Sequence, residues 1–495
     1  MPALLHNEDC TEFFATQPPI PDGKAGELID SYVDQIADAG TTVLLCNTNS
    51  RRTNYRSNVW EAHWDGYDPD GPDDQPFLAS LPAEAVERWR RMIGNMLEVY
   101  RQREDYPARV IQRCRYHGIA PWISLRMNDV HNNKDLSHPS HSRIYREGRF
   151  FFQGRSGYFA RGLDYARWEV RDHYKALIVE TLERYDIDGL ELDFMREPYL
   201  FSVGKEEEGR AILTAWLRDI RQLTNTAAAR RGHSVRLGVR VPSRPETALA
   251  LGLDAIGWAK TGLIDLLVVT PRWATLEFDM PIKLWREQLG QANVTLAGGL
   301  EILYRSSPGA RATDASPELA TGAAVAVLVD GADCVYLFNY FHPGGPWLNT
   351  RRAMRSLDEL LKLPRRVAVT YRDITAPGES YKPPLPATGR DVAFNLPLGP
   401  KPGAGWTADA TIGLADTEQG APAPALAVNG TACELRKTES GGNGECLLTY
   451  AIPLAALPGA NDDTIAVKAA GSGPLKVTRV EVRLAPLSGQ RTKGR

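Results

Sequence analysis

The first 364 residues of this 495-residue chain alternate eight times between strand-like and helix-like segments, and this alternation constrains the fold more than any other feature. Short apolar runs indicate buried strands, and apolar residues three and four positions apart indicate amphipathic helices. The predicted strands are 3–9, 41–47, 120–127, 187–194, 234–241, 264–270, 293–301 and 334–340. The predicted helices are 25–39, 84–117, 166–185, 206–231, 246–260, 280–290, 316–329 and 351–362. Eight strands that are each followed by a helix predict an α/β fold, a (β/α)8 barrel of the TIM type. An open doubly wound sheet is disfavoured because no glycine-rich phosphate loop follows the first strand.

From residue 365 onward the sequence changes to short alternating strands broken by Gly and Pro, such as DVAFNLPL, ECLLTYAIPL and LKVTRVEVRL. This pattern predicts an antiparallel β-sandwich of about 120 residues. We therefore predict a catalytic barrel over residues 1–364 and an accessory β-sandwich over residues 365–495.

Composition argues against several classes of partner. The net charge of −3 disfavours nucleic acid and anionic membranes, because both attract proteins with a basic excess. No apolar stretch approaches the roughly 20 residues that cross a bilayer.

The segment MPALLHNEDCTEFF shows no signal-peptide pattern, so the compartment stays unknown. Four cysteines lie in apolar contexts that predict buried thiols, and a disulfide between Cys433 and Cys446 is a less favoured alternative.

The active site of such a barrel lies at the carboxyl ends of its strands. The polar residues predicted there are Asn7, Glu8, Asp9, Asn47, Arg126, Asn128, His131, Glu191, Asp193, Arg196, Arg240, Arg244, Arg272, Glu301 and Asn339. Acids, amides and arginines on one rim, with Trp60 and Trp64 in a nearby loop, favour a carbohydrate substrate. Arg126, on an inward-facing strand position, favours an anionic sugar because a guanidinium matches a carboxylate in a bidentate way.

Glu191 and Asp193 in GLELDF are two residues apart on a strand, so both side chains point to the same side. They are either catalytic or members of a structural network with Arg126 or Arg240. A glycosidase that uses Asp193 and Glu301 on a uronic or neutral sugar is therefore an alternative. His131, His138 and His141 with Asp129 match no standard metal-ligand spacing, and a solvated loop without metal is predicted there.

Three stretches, HNEDCTEFF, SLRMNDVHN and GLELDFMREP, together resemble glycoside hydrolase family 156, the inverting exo-sialidases. The likeness covers essentially the whole chain. It implies a barrel with a C-terminal β domain, a sialylated glycan as substrate, no metal or cofactor, and a homodimer.

The resemblance also implies roles for individual residues. Asp9 is the implied general base, with adjacent Glu8 as the competing assignment, and His131 is the implied general acid. Arg126 and Arg196 are the implied contacts of the sialic acid carboxylate. Asn339 is a further implied contact, and we add Asn128 and Asp193 to the predicted substrate-binding residues.

The chemistry of sialic acid agrees with these roles. Its carboxylate sits on the anomeric carbon and would repel a carboxylate nucleophile, so direct attack by water is favoured. That route needs a base on one face of the sugar and an acid on the other. A histidine beside an anionic sugar favours the imidazolium form that a general acid needs. Retaining chemistry with a tyrosine nucleophile, such as Tyr55, Tyr199 or Tyr340, is the less favoured alternative.

Overall fold

The computed structural model describes residues 3–340, 344–416, 422–458 and 464–487, and it confirms the predicted (β/α)8 barrel. The barrel strands β1 to β8 are Ala3–Asn7, Val43–Asn47, Ala120–Arg126, Gly189–Asp193, Arg236–Pro242, Leu266–Thr270, Thr295–Glu301 and Cys334–Phe338. They pair in parallel in chain order, and β8 closes the barrel by pairing with β1. Two-residue strands at Leu303–Tyr304 and Thr313–Asp314 pair beside it.

Helices cover the outside of the barrel and part of its rim. In the described residues, α1 to α13 are Glu12–Thr16, Ala25–Asp38, Ala83–Arg101, Tyr106–Tyr116, Arg143–Arg146, Trp168–Arg184, Glu206–Arg231, Pro245–Ala250, Ala255–Lys260, Ile282–Leu289, Pro317–Val329, Pro346–Ala353 and Leu357–Leu360. Three 3-10 turns lie at Gly157–Phe159, Gly442–Gly444 and Leu454–Ala456.

Each of three segments that were predicted as one helix forms two helices in the structure. In two of these segments, the sequence contains residues that explain the break. The segment 84–117 divides into α3 and α4 because Asp105 accepts a capping bond from the Ala108 amide, and Pro107 stands in the first turn of α4. The segment 246–260 divides into α8 and α9 at Gly252, which has φ +87° and a close neighbour in Phe201. The segment 351–362 corresponds to α12 and α13, and α12 begins earlier, at Pro346.

The lower part of the barrel interior is apolar and is filled mainly by Trp122 of β3. This side chain is 4% exposed and packs with Leu5, Leu45, Leu266 and other inward residues. A β-carbon on Gly189 would lie 2.2 Å from the Trp122 ring, so glycine is required there to admit the indole. The site above therefore rests on a closed floor.

A polar layer lies above that floor. Glu191 Oε2 accepts hydrogen bonds from Asn7 at 3.0 Å, from Ser124 at 2.6 Å and from Tyr336 at 3.1 Å. These partners come from β1, β3 and β8, so Glu191 points into the barrel. Asp193 points inward as well and pairs with Arg240 at 3.1 Å. The two acids thus share one side of β4, as the spacing predicted.

The predicted antiparallel β domain is also confirmed. Its strands β9 to β15 are Arg365–Ala368, Ala387–Pro397, Trp406–Leu414, Ala425–Val428, Thr431–Ser440, Cys446–Ala451 and Thr464–Pro486. The long strand β15 pairs with β9, β10, β11 and β12 and so joins the seven strands into one sheet. Cys433 and Cys446 are free thiols, so the alternative disulfide does not form. The other four cysteines are buried free thiols, as predicted.

The barrel and the β domain share a tight contact along α11. Glu318 pairs with Arg483 at 2.6 Å and with Arg366 at 3.3 Å. A β-carbon on Gly322 would lie 2.0 Å from the Arg366 carbonyl oxygen, so the helix and β9 approach as closely as glycine allows. Tyr304 also donates to Glu481 of β15 at 2.7 Å.

Candidate active site

A cavity of about 280 Å³ opens at the carboxyl end of the barrel strands. It brings together three predicted site residues, Asp9, Arg126 and His131. Its other lining residues are Thr11, Ser50, His63, Arg88, Trp89, Met92, Asp129, Asn132 and Ser140. The predicted base, the predicted acid and one predicted arginine therefore face one space.

Asp9 follows the end of β1 and is held as a carboxylate. Its Oδ2 accepts a 2.7 Å bond from Arg126 Nη2, and its Oδ1 accepts bonds from the amide and hydroxyl of Thr11 at 2.9 and 2.7 Å. Burial opposes its charge, but the charges of Arg126 and Arg196 hold the pKa of Asp9 far below its usual value. The side chain is 24% exposed, so a ligand in the cavity can reach it.

Glu8, the neighbouring acid, belongs to a different network outside the barrel wall. Its Oε2 accepts from Tyr32 at 2.7 Å and its Oε1 from His6 Nε2 at 2.7 Å. Arg351 donates to His6 Nδ1 at 3.1 Å, so the ring proton lies on Nε2 and points at Glu8. Among the described residues that line the cavity, Asp9 is present and Glu8 is absent.

His131 forms a dyad with Asp129. Its Nδ1 lies 3.0 Å from both carboxylate oxygens of Asp129, and Arg196 Nη2 donates to its Nε2 at 3.1 Å. Because a guanidinium can only donate, the ring proton in this state lies on Nδ1 and points at Asp129. Burial opposes the charge of Asp129, but His131, Arg51 and Arg126 hold the pKa of Asp129 well below its usual value.

Arg126 is already engaged by the two acids of this group. Besides Asp9, it donates through Nη1 to Asp129 Oδ2 at 3.3 Å, and it is 2% exposed. Arg126 thus fixes the positions of both carboxylates, while each of its terminal nitrogens keeps a second N–H.

Arg196 differs from Arg126 because it has no carboxylate partner in the part of the chain that the structure describes. It is 3% exposed, and within the described residues it forms no ion pair and its Nε has no hydrogen-bond partner. The rings of Trp273 and Phe338 each lie 5.5 Å from its guanidinium carbon. A buried cation is costly without an anion, so this position is suited to a negatively charged ligand.

The two acids of the alternative site have different surroundings. Asp193 is buried against Arg240 and accepts the Met195 amide at 2.9 Å. Glu301 is 1% exposed, and burial raises the pKa of Glu301 to about 7 against the opposing charges of Arg240 and Arg196. Its Oε2 has no partner among the described residues.

The two predicted asparagines also differ. The amide of Asn128 is fully used by the backbone, since it donates to the carbonyls of Leu163 and Tyr199 and accepts from the Leu163 amide. Asn339 has φ +60° at the end of β8, and its buried Oδ1 has no partner in the described part of the chain. Asn339 is therefore the one with capacity for a ligand.

The aromatic residues at the mouth are not those that the sequence suggested. Trp60 is buried against His173 at 4.2 Å, and Trp64 stacks on Tyr100 at 5.6 Å. The cavity instead takes Trp89 and Met92 from α3, and Trp273 stands 40% exposed beside Arg196. Trp273 directly follows Arg272 at the end of β6 and could have been found. Periodicity predicted the helix that contains Trp89 and Met92, but not that this helix packs at the mouth of the cavity.

The prediction of a solvated histidine loop is wrong. His138 and His141 are buried, and Arg51 packs against His141 and donates to the Asp129 carbonyl at 2.7 Å. Burial lowers the pKa of His138 to about 4 and the pKa of His141 to about 3.

Among the described residues, no group of three His, Cys, Asp or Glu side chains is placed to hold a metal ion. In the same part of the chain, no helix has the length and apolarity needed to cross a membrane.

Comparisons with known proteins reach the level of overall architecture. No family model and no curated protein sequence matches the chain. A β-L-arabinopyranosidase from Geobacillus stearothermophilus is similar in structure with TM-score 0.38 and 10% identity, over 95% of this chain and 97% of that one. An α-L-fucosidase from Vibrio sp. strain EJY3 gives TM-score 0.37 and 9% identity, over 98% and 97%. A cycloisomaltooligosaccharide glucanotransferase from Paenibacillus sp. gives TM-score 0.34 and 10% identity over 97% of this chain, which spans 57% of that longer protein. At these TM-scores the likenesses carry no argument about activity.

Proposed function

We propose that this protein is a glycoside hydrolase that removes terminal sialic acid from glycans with inversion at the anomeric carbon. The observation that carries the proposal is Arg196, a buried guanidinium that pairs with no carboxylate in the described part of the chain. It is hydrogen-bonded to His131, which lines a cavity that also contains Asp9. An acidic sugar supplies the missing charge, and its anomeric carbon then lies among groups that can give and take protons.

In this proposal Arg196 is the main contact of the sugar carboxylate. Arg126 is the second contact, through the N–H groups that Asp9 and Asp129 leave unused. Asn339 offers its amide oxygen, which no described residue uses, to a hydroxyl or amide of the sugar. Asp193 does not contact the sugar in this proposal. Its ion pair with Arg240 balances the positive charge of that arginine beneath the sugar. Asn128 shapes the loop after β3 through its backbone bonds.

Asp9 is the proposed general base. It removes a proton from the water whose oxygen attacks the anomeric carbon. Its low pKa keeps it ionised, which a base requires, but also makes it a weak base while the positive charges of Arg126 and Arg196 act on it without a bound ligand. A bound carboxylate neutralises part of that positive charge, so the affinity of Asp9 for a proton rises when substrate is present.

His131 is the proposed general acid. It gives a proton from Nε2 to the glycosidic oxygen as the bond from that oxygen to the anomeric carbon breaks. In the free protein Arg196 occupies Nε2, so Arg196 must turn to the sugar carboxylate before Nε2 can carry this proton. Asp129, 3.0 Å from Nδ1, then stabilises the imidazolium. Binding of the anionic sugar and preparation of the acid are thereby coupled.

The direct test is a time-resolved proton NMR measurement with a synthetic α-sialoside. We expect hydrolysis in which the β anomer of free sialic acid appears first and the α anomer grows in by mutarotation. Release of the α anomer first would contradict inversion. Absence of hydrolysis of any sialoside, together with activity on a uronic or neutral glycoside, would contradict the proposed substrate.

Replacement of Arg196 by Ala is expected to raise KM for a sialoside by about 100-fold, because a buried charge pair with the substrate is lost. Steady-state kinetics on an aryl sialoside would measure this. Arg244→Ala is a matched control, since Arg244 also follows a barrel strand but pairs with the largely exposed Asp279 at 2.6 Å. If Arg196→Ala had the same KM as the unchanged protein, the argument for an anionic sugar would fail.

A second candidate is a glycosidase that uses Asp193 and Glu301 as its carboxylate pair. The observation that favours it is Glu301, a buried carboxyl with a pKa of about 7 and an unpaired oxygen within the described residues, which are properties of a general acid. Against it stands the full engagement of Asp193 by Arg240 and the Met195 amide. The NMR experiment distinguishes the two candidates by the sugar that is cleaved and by the anomer that appears first.

A further inference from the structure

A segment of the β domain returns to the rim of the barrel. We call residues 369–381, between β9 and β10, the strap. Glu379 holds its far end: its carboxylate accepts bonds from Thr247 of α8 at 3.0 Å and from the Ala376 amide at 2.9 Å, and it pairs with Arg372. Arg372 also donates to Thr247 at 2.9 Å. The strap is therefore fastened to a barrel helix by buried or half-buried polar contacts.

The middle of the strap packs on the loop that follows β4. Ile374 and Ala376 belong to one apolar cluster with Met195 and Tyr199. The Tyr199 hydroxyl donates to the Thr375 carbonyl at 3.2 Å. Met195 and Tyr199 stand on either side of Arg196 in the chain, so the strap covers the segment that carries this arginine.

Arg272, at the end of β6, links the strap to the backbone of Arg196. Its Nη1 lies 3.5 Å from Asp373 Oδ2 of the strap, and its Nη2 donates to Glu197 Oε1 at 3.1 Å. Its Nε donates to the carbonyl oxygen of Arg196 at 3.3 Å. The Arg272 guanidinium therefore contacts Asp373 of the strap, the carbonyl oxygen of Arg196 and the side chain of Glu197.

Two aromatic rings enclose this link. The guanidinium carbon of Arg272 lies 4.8 Å from the ring centre of Tyr158 and 4.9 Å from that of Phe159. Tyr158 also donates to Glu197 at 3.1 Å. Because rings and carboxylates surround Arg272, a change in one of its partners is transmitted to the others and is not absorbed by solvent.

We propose that Asp373 is a positioning residue of the active site: acting through Arg272, it fixes the backbone of Arg196 so that this arginine meets the substrate carboxylate. The β domain thus supplies part of the site through the strap. The inference rests on the proposed function only in taking Arg196 as the carboxylate contact. If Asp373 merely joined the domains, its loss would lower stability and leave substrate binding unchanged.

The test compares Asp373→Asn, which keeps the shape and removes the charge, with Asp373→Glu, which keeps the charge. Asp391→Asn, at an exposed aspartate of β10, is the matched control. For Asp373→Asn we expect KM for an aryl sialoside to rise about tenfold with kcat nearly unchanged, since a displaced contact weakens binding. Asp373→Glu should recover part of this loss, and Asp391→Asn should match the unchanged protein.

A second readout needs no substrate. Hydrogen–deuterium exchange of the amides over residues 194–200 should be faster in Asp373→Asn than in the control, while exchange in α2 and α4, far along the barrel wall, should not change. Equal exchange in both variants would overturn the inference, as would faster exchange with an unchanged KM. If no sialoside is hydrolysed by any of the proteins, the proposed function fails, and the exchange result alone decides the role of Asp373.

Discussion

Asp9→Asn is expected to lower kcat on a natural sialoside by about 10²- to 10⁴-fold, because it removes the group that takes the proton from the attacking water. The amide keeps the size of the carboxylate and one oxygen for the Thr11 amide and hydroxyl, so the loop should keep its shape. KM should change less than kcat, because Arg196 is untouched. Steady-state kinetics, with a thermal melt to show that the variant is folded, would measure this.

Glu301→Gln is the informative companion to Asp9→Asn. Burial raises the pKa of Glu301 to about 7, so a large part of it is protonated near neutral pH, and the amide is a near-isosteric replacement for that protonated form. We expect this variant to keep most of its activity. The reverse pattern, with an active Asp9→Asn and an inactive Glu301→Gln, would move the chemistry to Asp193 and Glu301.

His131→Ala is expected to lower kcat by a similar factor of about 10²–10⁴ on substrates whose leaving group is a sugar, because a poor leaving group needs a proton. On a 4-nitrophenyl sialoside, whose phenolate leaves without protonation, the loss should be much smaller. Comparison of the two substrates in one variant separates a lost acid from a damaged fold, because damage would lower both rates alike. Equal losses on the two substrates would contradict the role of His131.

The sequence was sufficient for the architecture because apolar periodicity is set by burial, and a barrel buries each strand in the same way. It was also sufficient to place Glu191 and Asp193 on one side of their strand, since a strand alternates its side chains strictly. The splitting of 84–117 was visible in Asp105 and Pro107 but was missed, because apolar spacing continues on both sides of the break.

The partners of the charged groups could not be predicted. That Arg126 is occupied by Asp9 and Asp129, whereas Arg196 lacks an anion in the described residues, depends on the distances between strand ends and not on residue type. The same holds for Glu8 and Asp9, which are neighbours in sequence but serve opposite sides of the barrel wall. Asp129 is the clearest omission from the predicted site, because it lies two residues before His131 in the chain and its carboxylate contacts the imidazole.

The close approach of Gly322 to the Arg366 carbonyl bears on how this protein could change over evolutionary time. A helix that meets a strand without room for a methyl group has been fitted to that one neighbour, and Glu318 adds charges matched to Arg366 and Arg483. An exchange of the β domain for that of a distant relative would bring together surfaces that were never matched. The barrel and the β domain are therefore expected to be inherited together, and recombination at the chain segment between them should seldom yield a stable protein.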